Sequence, residues 1–215
     1  MSTQPERELI YFDTRGRAEP IRLLLAYTRT PYSDRGIKRS DWPALKSTVP
    51  LGQVPVLVER GAEGELVLPQ SQAILRHLAR ALDAYGRTEH ERARCDVVAE
   101  TVVELRAAFN RVAHHPGWLE DQAATDAHYR DTFPRFRAWF ERTLEESEGR
   151  GDRFSAANEP TYADFLAFDT LDAHLLVQPS CLDGHGASQR FMDDMRALPG
   201  VAEYLAGRRP SDFAR

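Results

Sequence analysis

The chain has 215 residues, of which 42% are hydrophobic and 28% charged, and its formal net charge is −5. This length allows one or two domains with a full hydrophobic core, and the acidic balance argues against nucleic acid or an anionic membrane as the main partner. No apolar run approaches the roughly 20 residues that span a bilayer, and the first residues lack the apolar core of a signal peptide, so we expect a cytoplasmic protein without a membrane span.

The first part of the chain alternates short apolar runs with helical patterns, which is typical of a mixed α/β layer structure. Strands are predicted at residues 8–12, 32–37, 54–58 and 65–68. Helices are predicted at residues 18–27, from about Pro43, and at 71–81, where Ser71 is the expected N-cap. Residues 59–64 join the last two strands, and their number predicts a hairpin with a longer loop.

After residues 82–87 the strand signals nearly vanish, and the pattern becomes helical. Two sets of mainly apolar residues follow helical spacing. They are Val98, Thr101, Val102, Leu105, Phe109 and Val112, and then Tyr129, Phe133, Phe136, Phe140 and Leu144. Thr161 and Asp164 form a capping box that begins a further helix, and weaker helices are predicted at 188–197 and 201–206.

These patterns predict two domains, an α/β domain over residues 1–83 and an all-helical domain over residues 88–215. Cys95 and Cys181 lie far apart without a Cys-x-x-Cys spacing, which argues against a disulfide framework or a zinc site. The histidines also lack a metal-ligand spacing, so we expect no metal site and place these side chains on the surface or in loops. The histidines concerned are His114, His115, His128, His174 and His185.

A cleft that binds an extended peptide is one interpretation of two local motifs. A proline in an apolar strand pattern lies at an edge, at a strand start or in a special turn. If the Val54–Pro55 bond is cis, the backbone groups of Val54 turn outward; a trans proline that begins a strand is the simpler alternative. Ser71 is either an ordinary cap or part of a helix N-terminus that binds a carboxylate. The local sequence leaves both choices open.

Four motifs in this order resemble a cytosolic glutathione transferase, in particular the sigma class. They are Tyr11-Phe12-x-x-Arg15-Gly16-Arg17-Ala18-Glu19, Asp41-Trp42-Pro43-x-x-Lys46-Ser47, Gly52-Gln53-Val54-Pro55-Val56-Leu57 and Gln70-Ser71-x-Ala73-Ile74. The helical half adds Thr161-x-x-Asp164, so the resemblance covers the whole chain. It implies a thioredoxin-like N-terminal domain, a C-terminal helical bundle and a homodimer. It also implies glutathione as co-substrate, with no other cofactor.

The resemblance implies that several residues hold the first two units of glutathione. Pro55 is expected to be cis, with the backbone of Val54 pairing with the cysteinyl unit. Gln70 and Ser71 are expected to hold the γ-glutamyl carboxylate at the helix N-terminus. The local motifs alone do not require either role.

The resemblance also implies contacts at the glycyl end and near the sulfur. Trp42 and Lys46 are expected to reach the glycyl carboxylate, beside Gln53. Arg17 is expected to line the cleft and to add positive charge near the sulfur. Taken singly, Lys46 could equally be a solvated helix lysine and Trp42 a packing residue.

Tyr11 is the candidate catalytic residue, and its neighbour Phe12 is grouped with the glutathione-binding residues. A phenol that donates a hydrogen bond to a thiolate stabilises the charged form and lowers the pKa of the thiol. Because the thiolate is the nucleophile, such a tyrosine activates glutathione. A buried core tyrosine is the competing interpretation.

Glu104 is a further candidate, because in dimers of the resembling family an acidic residue on this helix reaches the glutathione amino group across the interface. Glu100 and Glu104 lie four residues apart and share one face of a helix, so a solvated face is the alternative.

The resemblance favours an enzyme that transfers glutathione to small hydrophobic electrophiles, with an electrophile pocket contributed by the helical domain. A glutathione-dependent isomerase or peroxidase, and a noncatalytic binding or structural protein, are the alternatives.

Overall fold

The computed structural model describes residues 5–113 and 121–209. These residues form two compact units. The first contains residues 5–82 and 198–209, and the second contains residues 83–113 and 121–197. None of the helices in these described ranges is long and apolar enough to cross a bilayer.

The first unit is built on a four-stranded sheet with the strand order β2-β1-β3-β4. Its strands are β1 (Glu6–Phe12), β2 (Ser33–Ile37), β3 (Val56–Gly61) and β4 (Gly64–Pro69). β1 and β2 are parallel and are connected through α1 (Glu19–Tyr27), as parallel neighbours require a crossover. The β1–β3 and β3–β4 pairs are antiparallel. The short α2 (Trp42–Leu45) and α3 (Ser71–Ala81) complete the predicted thioredoxin-like arrangement.

The β3–β4 connection is shorter than predicted. Pairing continues to Gly61 opposite Gly64, so the turn contains only residues 62–63, and the expected longer loop was wrong. Arg60 and Glu65 stay in the ladder and form an ion pair of 2.8 Å. Polar residues fit this hairpin because β4 is a largely exposed edge strand.

The second unit is all-helical, as the sequence predicts. Its α-helices are α4 (Glu89–Ala113), α5 (Gln122–Ala127), α6 (Phe133–Arg150), α7 (Tyr162–Val177) and α8 (Gly186–Ala197). A π-helical turn, His128–Thr132, joins α5 to α6. Phe133, Phe136 and Phe140 are buried, which confirms them as core residues. The capping box that begins α7 is present.

The last helix, α9 (Pro199–Gly207), packs against α1 and therefore belongs to the first unit. The two helices approach so closely at Gly200 that an added Cβ would collide with the carbonyl oxygen of Ala26. The Tyr204 hydroxyl also donates a hydrogen bond of 2.9 Å to the buried carboxylate of Glu19. This docking brings Arg209, just after α9, to the segment between β1 and α1.

Candidate active site

An open cleft of about 340 Å³ lies in the first unit. It is lined by Phe12, Arg17, Trp42, Gly52, Gln53, Val54, Pro55, Gln70 and Ser71. All of these except Gly52 are among the candidate residues from the sequence. Gly52 could have been recognised from its place in the Gly52-Gln53-Val54-Pro55 motif, and its φ of 58° lies in the left-handed region that favours glycine.

The turn before β3 contributes the middle of the cleft. The Val54–Pro55 peptide bond is cis, which confirms that expectation and excludes the trans alternative. Sheet pairing of β3 begins at Val56, so the backbone N–H and C=O groups of Val54 lie outside the ladder. An extended peptide can therefore pair with Val54 as a strand pairs with its neighbour.

The start of α3 forms another wall. The predicted N-cap was wrong by one residue: Ser71 is the first residue of α3, and Gln70 is the cap, with φ 75° and ψ 109°. The carbonyl of Gln70 accepts the first helical hydrogen bond from Ile74, at 2.9 Å, and no side chain caps the helix. The first N–H groups of α3 thus lack a side-chain acceptor, and a helix N-terminus of this kind attracts anions.

Tyr11 is buried at the end of β1, where its phenolic oxygen accepts a hydrogen bond of 3.0 Å from the backbone N–H of Arg17. The turn Gly16–Ala18 lies against the ring, and a Cβ on Gly16 would collide with the hydroxyl and approach Cε1 to 2.8 Å. Because the oxygen accepts from the turn, its own proton can be donated to a ligand. Tyr11 is not itself a lining residue, but it is held by Arg17, which is.

Trp42 lines the cleft, and Lys46 lies close to its lining residue Gly52. Trp42 packs edge-to-face on Phe12 with ring centroids 5.2 Å apart, so it has a packing role and also lines the cleft. Lys46 is not a lining residue, but its side chain flanks Gly52, where an added Cβ would lie 3.3 Å from the Lys46 Cγ. The Lys46 ammonium group therefore lies near Gly52, at the edge of the cleft.

Glu104 lies on α4 in the second unit. Its carboxylate forms a 2.6 Å ion pair with Arg135, and both side chains are mostly exposed. The structure thus assigns it a surface partner on its own unit.

The two cysteines are free and buried. Burial raises the pKa of each thiol, Cys95 and Cys181, to about 12. Neither forms a thiolate near neutral pH, so neither is an activated nucleophile.

The prediction that the histidines lie on the surface or in loops was wrong for His128 and His174, which are buried. Their Nε2 atoms are 3.1 Å apart, and Nδ1 of His174 is 2.7 Å from the carbonyl oxygen of Thr170. Nδ1 therefore donates to that carbonyl, and Nε2–H of His128 donates to Nε2 of His174. The apolar sequence around His174 was the available signal of its burial. His114 and His115 lie outside the described residues.

Burial is also the main cause of the lowered pKa values in this pair, to about 4 for His128 and about 3 for His174. Both imidazoles are thus neutral at physiological pH. Within the described ranges, no group of three or more His, Cys, Asp or Glu residues could hold a metal ion.

Comparisons with known proteins agree with this geometry over both units. Residues 7–80 match the family model "Glutathione S-transferase, N-terminal domain", and residues 111–208 match "Glutathione S-transferase, C-terminal domain". The chain is 32% identical to glutathione S-transferase 2 of Onchocerca volvulus, over 94% of this chain and 92% of that protein. It is also 32% identical to the hematopoietic prostaglandin D synthase of Homo sapiens, over 96% of this chain and 98% of that protein.

The solved structure of a sigma class glutathione transferase from Fasciola hepatica is similar with a TM-score of 0.89 and 28% identity, covering 97% of this chain and 99% of that one. The chain therefore belongs to the glutathione S-transferase family, as the motifs of its first unit indicated.

Proposed function

We propose that the protein is a tyrosine-type transferase that conjugates glutathione to small hydrophobic electrophiles. The observation that carries this proposal is the placement of the Tyr11 hydroxyl, held 3.0 Å from the backbone N–H of a cleft-lining residue, Arg17. Family membership supplies the transferase class, and the names of the relatives supply glutathione as the co-substrate. No metal or other cofactor is part of the proposal.

The domain of residues 1–83 binds glutathione along the cleft. The backbone of Val54 pairs with the cysteinyl unit, because its polar groups lie outside the sheet. The γ-glutamyl carboxylate lies at Gln70 and Ser71, where the start of α3 favours negative charge. The glycyl carboxylate lies near Trp42 and Lys46, with Gln53 beside it.

Tyr11 acts as a hydrogen-bond donor to the glutathione thiolate and not as a base. The backbone N–H of Arg17 already occupies one acceptor position on the phenolic oxygen. The hydroxyl proton is consequently directed to another partner, and a thiolate that accepts it is stabilised relative to the thiol. The positive side chain of Arg17, on the cleft wall, and the neighbouring Phe12 complete the surroundings of the sulfur.

The all-helical second unit contributes the pocket for the electrophile. The protein is proposed to act as a cytoplasmic homodimer. In this dimer, Glu104 of one subunit contacts the amino group of the glutathione that is bound to the other subunit. The exposed Glu104–Arg135 pair is compatible with this role, because a surface ion pair of this kind is worth little and exchanges partners easily.

Tyr11→Phe tests the proposal by removing the donor while keeping the ring. A hydrogen bond to a charged group is worth about 1.5–3 kcal/mol. The expected fall in kcat is therefore about 10- to 150-fold, with the KM for glutathione nearly unchanged. The pKa of bound glutathione, followed by thiolate absorbance in the ultraviolet, is expected to rise by about one to two units, at 1.36 kcal/mol per unit.

Tyr129→Phe is the matched control, since its hydroxyl donates only to the carbonyl of His174 in the second unit. It should leave the pKa of bound glutathione unchanged. Conjugation of a chromogenic aryl halide measures the proposed reaction, whereas turnover of a hydroperoxide or of an isomerisable enone without conjugation would favour the alternative enzymes. Retention on immobilised glutathione without any turnover would favour a noncatalytic protein.

A further inference from the structure

The turn Gly16–Ala18, which holds the Tyr11 hydroxyl, is preceded by a segment that binds a fully buried arginine, Arg22 of α1. Its Nη1 atom donates to the carbonyl oxygens of Thr14 and Arg15, at 2.8 and 3.2 Å. Its guanidinium carbon also lies 5.9 Å from the centroid of the Tyr11 ring. One side chain thus contacts both the phenol and the chain segment that leads to Arg17.

A second arginine, Arg209, which follows α9, binds the segment that leads into this turn. Its Nε donates to the carboxylate of Asp13 at 2.7 Å. Its own carbonyl oxygen accepts a 2.7 Å hydrogen bond from Nε of Arg15. Asp13 and Arg15, in the segment that leads from β1 into the turn Gly16–Ala18, are therefore joined to a residue almost 200 positions later in the sequence.

The two arginines share one carboxylate, that of Asp34 on β2. Arg22 donates to both of its oxygens, at 2.9 and 3.3 Å, and Nη1 of Arg209 donates to Oδ2. The Asp34 side chain is mostly buried, so the shared carboxylate is partly shielded from solvent and salt. The packing of α9 on α1 determines the position of Arg209. The ion cluster therefore depends on the packing of these two helices.

We propose that Arg209 is a positioning residue for the reaction: through Asp13 and Arg15 it holds the turn whose Arg17 N–H orients the Tyr11 hydroxyl. This inference rests on the proposed role of Tyr11 as donor to the thiolate. The hydroxyl must lie within hydrogen-bond reach of the sulfur and in line with it, and small displacements of such a donor weaken catalysis strongly. Arg209 acts through the turn and does not contact glutathione.

Arg209→Gln removes the charge and both side-chain ion pairs while retaining the backbone carbonyl that binds Arg15. We expect kcat for conjugation to fall by about 3- to 30-fold, the range for residues that act through a neighbour. The pKa of bound glutathione should rise, and kcat should recover at high pH, where the thiol ionises without help. A merely structural role would lower the melting temperature without moving that pKa.

A double-mutant cycle with Tyr11→Phe makes the inference specific. Once the hydroxyl is absent, Arg209→Gln should cause no further change in kcat or in the pKa of bound glutathione. An equal loss in both backgrounds, or an unchanged pKa in the single variant, overturns the positioning role. If Tyr11→Phe alone leaves the pKa unchanged, the proposed function fails first, and this inference fails with it.

Arg29→Gln is the matched control. It removes a guanidinium that joins the segment just after α1 to Glu203 of α9 through an exposed 2.8 Å ion pair. It should leave kcat and the pKa of bound glutathione at their wild-type values; a shift equal to that of Arg209→Gln would show that only helix docking matters. If Arg209→Gln does not fold, Asp13→Ala decides, since it removes the exposed carboxylate that accepts from Nε of Arg209. A pKa unchanged in that variant contradicts the inference.

Discussion

Replacing Asp164 with alanine removes a completely buried carboxylate that organises the start of α7. The carboxylate accepts hydrogen bonds from the backbone N–H groups of Ser155 and Thr161, at 3.0 and 2.7 Å, and from their hydroxyls, at 2.5 and 2.8 Å. The hydroxyls can turn to other acceptors, but the two buried N–H groups cannot. At about 1–3 kcal/mol for each unsatisfied buried donor, the two together cost about 2–6 kcal/mol.

We therefore expect Asp164→Ala to lower the free energy of unfolding by about 4 kcal/mol, the middle of that range. At about 2–4 °C per kcal/mol for a chain of this size, the melting temperature falls by about 8–16 °C. Urea unfolding followed by circular dichroism measures the loss, at one protein concentration for all variants because the stability of the proposed dimer would depend on concentration. The m-value should stay the same.

Asp194→Ala provides the comparison, because this aspartate forms a 2.7 Å ion pair with Arg153 in which both side chains are substantially exposed. A surface pair of this kind is worth less than about 1 kcal/mol. A loss of under about 1 kcal/mol in Asp164→Ala as well would refute the reasoning, because the buried hydrogen bonds would then carry no more weight than an exposed pair.

Two further predictions concern the turn at Tyr11 and the buried imidazole pair. Gly16→Ala should cut conjugation at least about 10-fold, as for loss of a positioned donor, because the new Cβ collides with the Tyr11 hydroxyl; Gly64→Ala, also at positive φ but with no atom within 4 Å, should keep full activity once folded. The lowered pKa of His128, about 4 against the ordinary 6.5, means that the unfolded chain binds more protons between these pH values, so stability should rise with pH across this window. Urea melts at several pH values should show a shallower slope for His128→Gln, and an equal slope would contradict the assignment.

Local sequence patterns predicted most helices and strands correctly, except where charged residues continue a strand. Helical spacing predicted the long helices of the second unit, and the Thr161–Asp164 box marked the start of α7 correctly. The hairpin was predicted with too long a loop, because charged residues such as those at 59–60 are more common in loops than in strands. They lie on β3, an inner strand of the sheet, where buried Glu59 pairs with Arg7 and His77 and exposed Arg60 pairs with Glu65.

At the cleft, residue types and their order were enough to propose which residues meet, but not how they are oriented. The cis bond at Pro55 could be expected only from the resemblance, since the local sequence fits a trans proline equally well. The N-cap of α3 is Gln70 and not the predicted Ser71, because the φ and ψ angles of Gln70 lie outside the helical region whereas Ser71 is already helical. Backbone conformation of this kind depends on the surroundings of the segment and not on the residue alone.

The sequence by itself determined the two halves of the chain, the family resemblance and the candidate donor Tyr11, because each depends on residues close together or on motifs in a fixed order. Only the tertiary structure showed that Arg209 reaches the turn beside Tyr11 and that His128 faces His174. These contacts join residues 196 and 46 positions apart. They arise from the packing of whole helices and strands, which determines burial and partners, and no local pattern encodes that packing.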